Sequence, residues 1–330
     1  MKLRNIVRKL ALFVTTLWAA LTFNFILPRL MPGSPADSVI ERMTQSGVVV
    51  TAAMRRAIGI QLGLPHTSLL VQYGDYLANV ARLRMGMSTS VPGESVMRAI
   101  AVAAPWSLAL VGSTTIATFF LGTLLGVYAA WHRQSRIDQL VTIGTTLTSS
   151  FPSFWIALML LFFFGFKLRW FPLVGGYYPG ETPHLTWNFM VDASYHLALG
   201  WIALVITGLS GWVFGMRNNM VTTFGQDYVT FAEANGLRGR KVALSYAARN
   251  ALLPNVTNFA LALGGAIGGT VLIEDVFGIP GIGNLLLQAI NARDYSLMQG
   301  ILLFTSVSML VALFAVDLLY TWLDPRTRAR

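Results

Sequence analysis

Cysteine does not occur anywhere in the 330 residues, which excludes disulfides, iron–sulfur clusters and thiolate metal sites. Charge is scarce as well. Asp, Glu, Lys and Arg make up 12% of the chain, against about 25% in an ordinary soluble domain. Histidine is limited to His66, His132, His184 and His196, and no H-E-x-x-H or other metal-ligand spacing occurs. His184 and His196 share one predicted outer loop and read as interfacial residues. There is no G-x-x-x-x-G-K-[ST] phosphate loop, so the chain does not bind ATP by that route. No Ser/His/Asp constellation, fixed-period repeat or low-complexity tract is found. With neither a catalytic nor a metal site assembled, the chain is not expected to be an enzyme.

What is abundant is apolar sequence. Hydrophobic residues make up 55% of the chain, and the mean hydropathy is +0.59. A helix crossing a bilayer needs about 20 apolar residues. Six runs are long enough to be candidates: 10–28, 106–131, 140–166 (interrupted by Pro152), 197–216, 253–273 and 298–323. The expected fold is therefore an all-α, multi-pass membrane protein. The first run follows Lys2, Arg4, Arg8 and Lys9, as a secretory signal would. However, it is long, and "PRLMPGSPAD" behind it offers no small-x-small cleavage site, so it reads as a retained helix.

The net charge of +10 is explained by position along the chain. With both termini inside, the cytoplasmic pieces collect the N-terminal bases, Arg133, Arg136, Arg217, Arg238, Arg240, Lys241, Arg249, Arg326, Arg328 and Arg330. Few acids oppose them: Asp138, Asp227, Glu233 and Asp324. The two short outer loops hold only Lys167, Arg169 and Arg293. This is the positive-inside asymmetry, and it removes the main support for nucleic-acid binding. The chain then divides into a cytoplasmic start and first helix (1–28), an outer loop domain (29–105), a membrane core (106–323) and a basic tail (324–330). In the outer domain, Leu70, Tyr73, Leu77 and Val80 fall on one helical face, flanked by the turns "PGSPAD" and "GLPH". A small helical subdomain packed on the mouth of the bundle is expected.

Three features inside the core have both a functional and a structural reading. Asp317 is an acid within the last run, hence a functional candidate, or else a local partner of a base such as Arg217. In the fifth run, Gly264/Gly268 and Gly265/Gly269 form overlapping G-x-x-x-G pairs, which let helices approach closely and could also line a path with bare backbone. "FGIPGIGN", with Gly278, Pro280, Gly281 and Gly283, reads as a bent outer turn. It has neither the preceding strand nor the lysine of a phosphate cradle.

Residues 217–252 form a polar cytoplasmic insert. "QDYVTFAEAN" is helix-compatible, and Gly236 can end that helix in the left-handed conformation. "RKVALSYAARNALL" is helical again, with Pro254 expected in the first turn of the next span. Helical order of this kind in a connecting segment suits docking into a groove on another protein.

These residues resemble the permease subunit of a binding-protein-dependent ABC importer of the dipeptide/oligopeptide type. That family's cytoplasmic signature is E-A-A, a glycine three residues after the acid, and a distal L-P. Here it reads Glu233, Ala234, Asn235, Gly236 and then Leu253-Pro254, with Asn235 as the departure. "QDYVTFAEANGL" resembles D-Y-[IV]-x-x-A-x-A-x-G-L from Asp227 to Leu237. "EDVFGIPGIGN … RDYSLMQG", "VDLLYTWLDPRTR" and "LPRLMPGSPAD" also resemble family patterns. In the outer loop "RMGMS" stands where the family often has G-D-[LF]-G-x-S, which puts the details of outer-loop docking in question.

The resemblance implies about six helices and pairing with a second, homologous permease. It also implies two ATPase subunits that bind ATP and Mg, and an extracytoplasmic binding protein. No cofactor is implied on this chain itself. Coupling to the ATPase would fall to Asp227, Glu233, Ala234, Gly236, Leu237, Arg238, Arg240 and Lys241. The cargo implied is a peptide, with an oligosaccharide or another small solute as the alternative. A scaffold that recruits a partner without transport is a more distant reading.

Overall fold

The computed structural model describes residues 3–30, 37, 39–40, 43–44, 47–61, 68–91, 93–181, 183–184 and 186–323, with backbone alone at 3–10, 59–61, 267 and 316–323. Lys2, the side chains of Arg4, Arg8 and Lys9, the "GLPH" turn, most of "PGSPAD", the basic tail and the side chain of Asp317 lie outside the described residues.

The described residues contain helices and no β-strand beyond one isolated bridge. Helix α1 is Leu3–Ile26, closed by a 3-10 turn at Leu27–Leu30. The outer segment supplies α2 (Ala52–Gln61) and α3 (Leu69–Ala81). Helix α4 runs Val96–Trp131, with a wide π turn at Leu108–Gly112. It begins ten residues before the expected second span, inside what reads from sequence as outer loop. Pro152 does break the third run: α5 (Arg136–Ser149) and α6 (Ser153–Lys167) meet at 89°. Proline has no N–H to continue the ladder and biases the residue before it away from helix.

Helix α7 spans Trp187–Phe224, well beyond the apolar stretch at both ends. The insert follows as α8 (Asp227–Ala234), and α9 covers Arg249–Gly265. Two short helices come next, α10 (Val271–Val276) and α11 (Ile282–Asn291). The last is α12, Tyr295–Leu323.

Among the described residues four helices are long and apolar enough to cross a membrane, or five with the bent α5–α6 pair taken as one span. The shortfall is the fifth expected span, 253–273. Its helix ends at Gly265 and passes through a 3-10 turn to Gly269, whose φ is +68°. What remains, α9, is 17 residues, or about 26 Å at a rise of 1.5 Å per residue. It is also continuous with a π-helical segment, Val242–Ala248, so Pro254 lies in the helix interior and not in a first turn.

The core is stacked along the bundle. An outer layer gathers Val96, Ile100, Ile282, Leu297 and Ile301. A middle layer holds Leu110, Leu199, Ile273, Phe277 and Ile279. An inner one holds Ala130, Met216, Met220, Ala247 and Ala251. Helices α4 and α7 lie almost backbone to backbone. A Cβ on Gly122 would sit 2.5 Å from Trp212 Cβ, and one on Gly126 would sit 2.6 Å from the Val213 carbonyl oxygen. This is a working G-x-x-x-G contact, at a pair the sequence reading passed over. Of the pairs it singled out, Gly264 does meet α12, where an added Cβ would stand 2.1 Å from Ala312 Cβ. Gly265 and Gly269 cannot form a helical pair, because the helix stops between them.

Candidate functional site: the polar insert and the glycine turn

Helix α8 hangs from the inner end of α7. Val229 and Ala232 are buried against Val242, with Phe224, Leu237 and Tyr246 around them. Its C-terminus closes by two bonds: Leu237 N–H to the Ala232 carbonyl (3.4 Å) and Gly236 N–H to the Glu233 carbonyl (2.9 Å). That is a Schellman cap, which requires a left-handed residue, and Gly236 supplies it at φ +74°. Asn235 donates its side-chain N–H to the Phe231 carbonyl (2.7 Å), so the departure from the family's alanine ties down the same turn.

The face turned away from the protein carries Phe231, 72% exposed, together with Glu233, Ala234, Arg238, Arg240 and Lys241. Among the described residues no ion pair engages Glu233, Arg238, Arg240 or Lys241. Asp227 opens the helix and is exposed. Just above the insert, Arg217 donates to Asp138 through both Nε (2.6 Å) and a terminal nitrogen (2.8 Å), tying α7 to α5. Arg217 has Asp138 as a partner, and the expected local pairing of Asp317 falls on a side chain outside the described residues.

At the other end the glycines of the outer turn surround a residue that sequence reasoning did not single out. Glu274, fully buried, accepts from Ser107 Oγ (2.8 Å), Thr270 N–H (3.1 Å), Gly283 N–H (2.7 Å) and Asn284 N–H (3.2 Å). A Cβ on Gly269 or Gly281 would lie within 2.5 Å of its carboxylate oxygens. The clustered N–H groups thus form an anion cradle, and the chain's own carboxylate fills it. Gly283 lets the backbone of α11 reach Val271, and Gly278, at φ +60°, turns the chain against Val174. Pro280 packs beside Gly176.

A second buried acid holds the outer loop. Asp294 Oδ2 accepts from Ser88 Oγ (2.6 Å), Thr89 N–H (2.8 Å), Ser90 N–H (2.9 Å) and Ser90 Oγ (2.8 Å). Its Oδ1 caps α12 by accepting from Leu297 N–H (3.0 Å). Burial pushes this carboxyl up, but the hydrogen bonds from Ser88, Leu297 and Ser90 outweigh it and hold the group below the usual carboxylate range. The loop whose docking the sequence left in question is therefore fixed at Ser88. The signal was present in "RDY" and "MSTS", but nothing local pairs segments so far apart.

The family described as "Binding-protein-dependent transport system inner membrane component" matches residues 122–329, well over half of the chain. The chain belongs to this family. The dipeptide transport system permease protein DppB of Bacillus subtilis is 30% identical over 98% of both chains. The oligopeptide transport system permease protein AppB of the same organism is 29% identical over 97% of this chain and 98% of its own. As a member of this inner-membrane family, the protein places the matched motif, Glu233 to Gly236, on an exposed helical tip and its buried carboxylates, Glu274 and Asp294, at the opposite end.

Proposed function

We propose that this permease-family chain forms half of the translocation path of an ATP-driven importer, and that its cargo is a peptide delivered by an extracytoplasmic binding protein. The observation that carries the reading is the insert: a Schellman-capped helix at the end of a 38-residue rod, presenting an exposed Phe231 and charged groups without partners among the described residues. An exposed aromatic ringed by charge is what a docking surface offers. In this reading Asp227, Glu233, Ala234, Gly236 and Leu237 shape the tip, and Arg238, Arg240 and Lys241 meet an acidic rim on the ATPase. ATP and Mg bind on two ATPase subunits, and this chain does no chemistry. A second, homologous permease completes the path, and both termini are cytoplasmic. Gly264, Gly265, Gly268, Gly269 and Asp317 belong to packing along that path, and Gly278, Pro280, Gly281 and Gly283 form its outer turn. The peptide assignment is supported by what DppB and AppB are named for.

The test is peptide uptake by the reassembled transporter carrying Glu233→Ala or Gly236→Ala. No atom lies within 4 Å of a Cβ on Gly236, so that substitution strains only the turn. Uptake should fall while the chain still reaches the membrane. Unchanged uptake in both variants would remove the insert from coupling.

A further inference from the structure

A cavity of about 450 Å³ opens on the outer side between the end of α1, helix α3 and the start of α12. Its walls fix its depth. Arg29 is in the last turn of the first span, and Ser296 and Gln299 are in the first two turns of the last. Both spans leave the bilayer here, so the cavity stands at the level of the outer headgroups.

Its lining mixes polar groups with Val80, Met85 and Leu303 and carries excess positive charge: Arg29 and Arg84 against Asp75, with Gln72 beside them. Arg29 donates to the Phe25 carbonyl (2.7 Å) and to Gln72 Oε1 (3.3 Å), and lies 3.5 Å over the Phe25 ring. No ion pair engages Arg29 or Arg84 among the described residues. Tyr76 is in the same wall, and its hydroxyl is shielded from solvent with no hydrogen-bond partner. Burial first, and Tyr73 second, push its phenol up to about 12, so it stays a donor at physiological pH. Outside the rim the surface turns apolar, with Leu30 75%, Leu69 64% and Leu70 83% exposed. Leu70 was expected on the packed face of α3. Instead, the helix docks through Tyr73, hydrogen-bonded to Thr22 (2.8 Å), and leaves Leu69 and Leu70 outward.

Guanidinium groups at headgroup depth, a hydroxyl lacking an acceptor and exposed leucines at the rim make a consistent set. We propose that this cavity binds the phosphodiester headgroup of an anionic phospholipid of the outer leaflet, with Arg29 and Arg84 on the phosphate and the acyl chains against Leu30 and the outer face of α1. Arginine suits this role because its fork matches phosphate oxygens in pairs. Basic pockets between spans recognise acidic lipids in this way. Asp75, across the same cavity, would then face the glycerol end of the headgroup.

The experiment is native mass spectrometry of the assembled transporter, purified in mild detergent and titrated with dioleoyl phosphatidylglycerol. Arg29→Gln should retain one lipid fewer than the parent and shift half-saturation by about tenfold or more, the scale of one lost charge-assisted contact. Tyr76→Phe should weaken retention by a smaller factor. Because that hydroxyl makes no bond within the protein, the variant's thermal unfolding should match the parent's. Equal lipid retention in the parent and both variants overturns the proposal. Displacement of the lipid by millimolar inorganic phosphate would reduce the site to a simple anion site and overturn it too. Displacement by the dipeptide Ala-Ala, lost in Arg29→Gln, would make it a peptide subsite instead.

Discussion

Replacing Asp294 with alanine should free the outer loop from the membrane core without unfolding that core. The carboxylate receives five hydrogen bonds, four from residues 88–90 and one from Leu297. A hydrogen bond to a charged group nets about 1.5–3 kcal/mol, and these five are not additive because they share one acceptor group. Ser88 is buried, whereas Thr89 and Ser90 are partly open, so water can replace some of what is lost. A local cost of about 3 kcal/mol follows, equivalent to a rise on the order of a hundredfold in the opening equilibrium of the loop. Amide hydrogen exchange reads this directly. Protection at Thr89 and Ser90 should fall by that factor, while the amides of α4 and α7 hold theirs. If exchange at 89–90 changes by less than about twofold, the carboxylate is not what holds the loop, and the reasoning fails.

The same clamp has a defined pH response. The folded-state pKa of Asp294 is depressed, so its contribution is complete above the ordinary aspartate value of about 4 and is lost as pH falls through the lower folded value. Loop protection should be flat from neutral pH to about 5 and decline only below about 4, and hydrogen exchange with a pH-corrected intrinsic rate would show this. Glu274→Gln should destabilise by about 3–5 kcal/mol, since an amide N–H would be turned toward one of the donors that now serve the carboxylate; thermal unfolding in detergent measures it. Gly126→Ala should cost about 1–3 kcal/mol by prising α4 from α7, whereas Gly144→Ala, with no atom within 4 Å, should be near neutral in the same melts.

Local features were legible in the sequence, and pairings across the chain were not. Pro152 announced the bend between α5 and α6, and Gly236 announced the cap of α8, because each acts through its own backbone torsions. The break in the fifth span was hidden. Hydropathy continues through Gly265 to Ile273, and a positive φ at Gly269 leaves no trace in it. Gly122 and Gly126 have the same spacing as Gly264 and Gly268, and only the fold shows how closely the first pair approaches its neighbouring helix. Glu274 and Asp294 are the larger omissions. Their partners Ser107 and Ser88 lie 167 and 206 residues away, and no periodicity reaches that far. Asp317 drew notice because an acid in an apolar run is conspicuous, whereas these two sit beside turns where acids look ordinary.

Helix α7 is 38 residues of one unbroken ladder, about 57 Å from Trp187 to the insert. Successive residues on such a rod are turned by about 100°, so its two ends are held in fixed angular phase. A single residue inserted near Thr207 would keep both ends intact yet rotate the Asp138-bound Arg217 and all of α8 by more than a quarter turn relative to the outer domain. In the evolution of this chain the length of α7 should therefore be far less free to change than its composition, and a library of one-residue insertions should find its sharpest losses there.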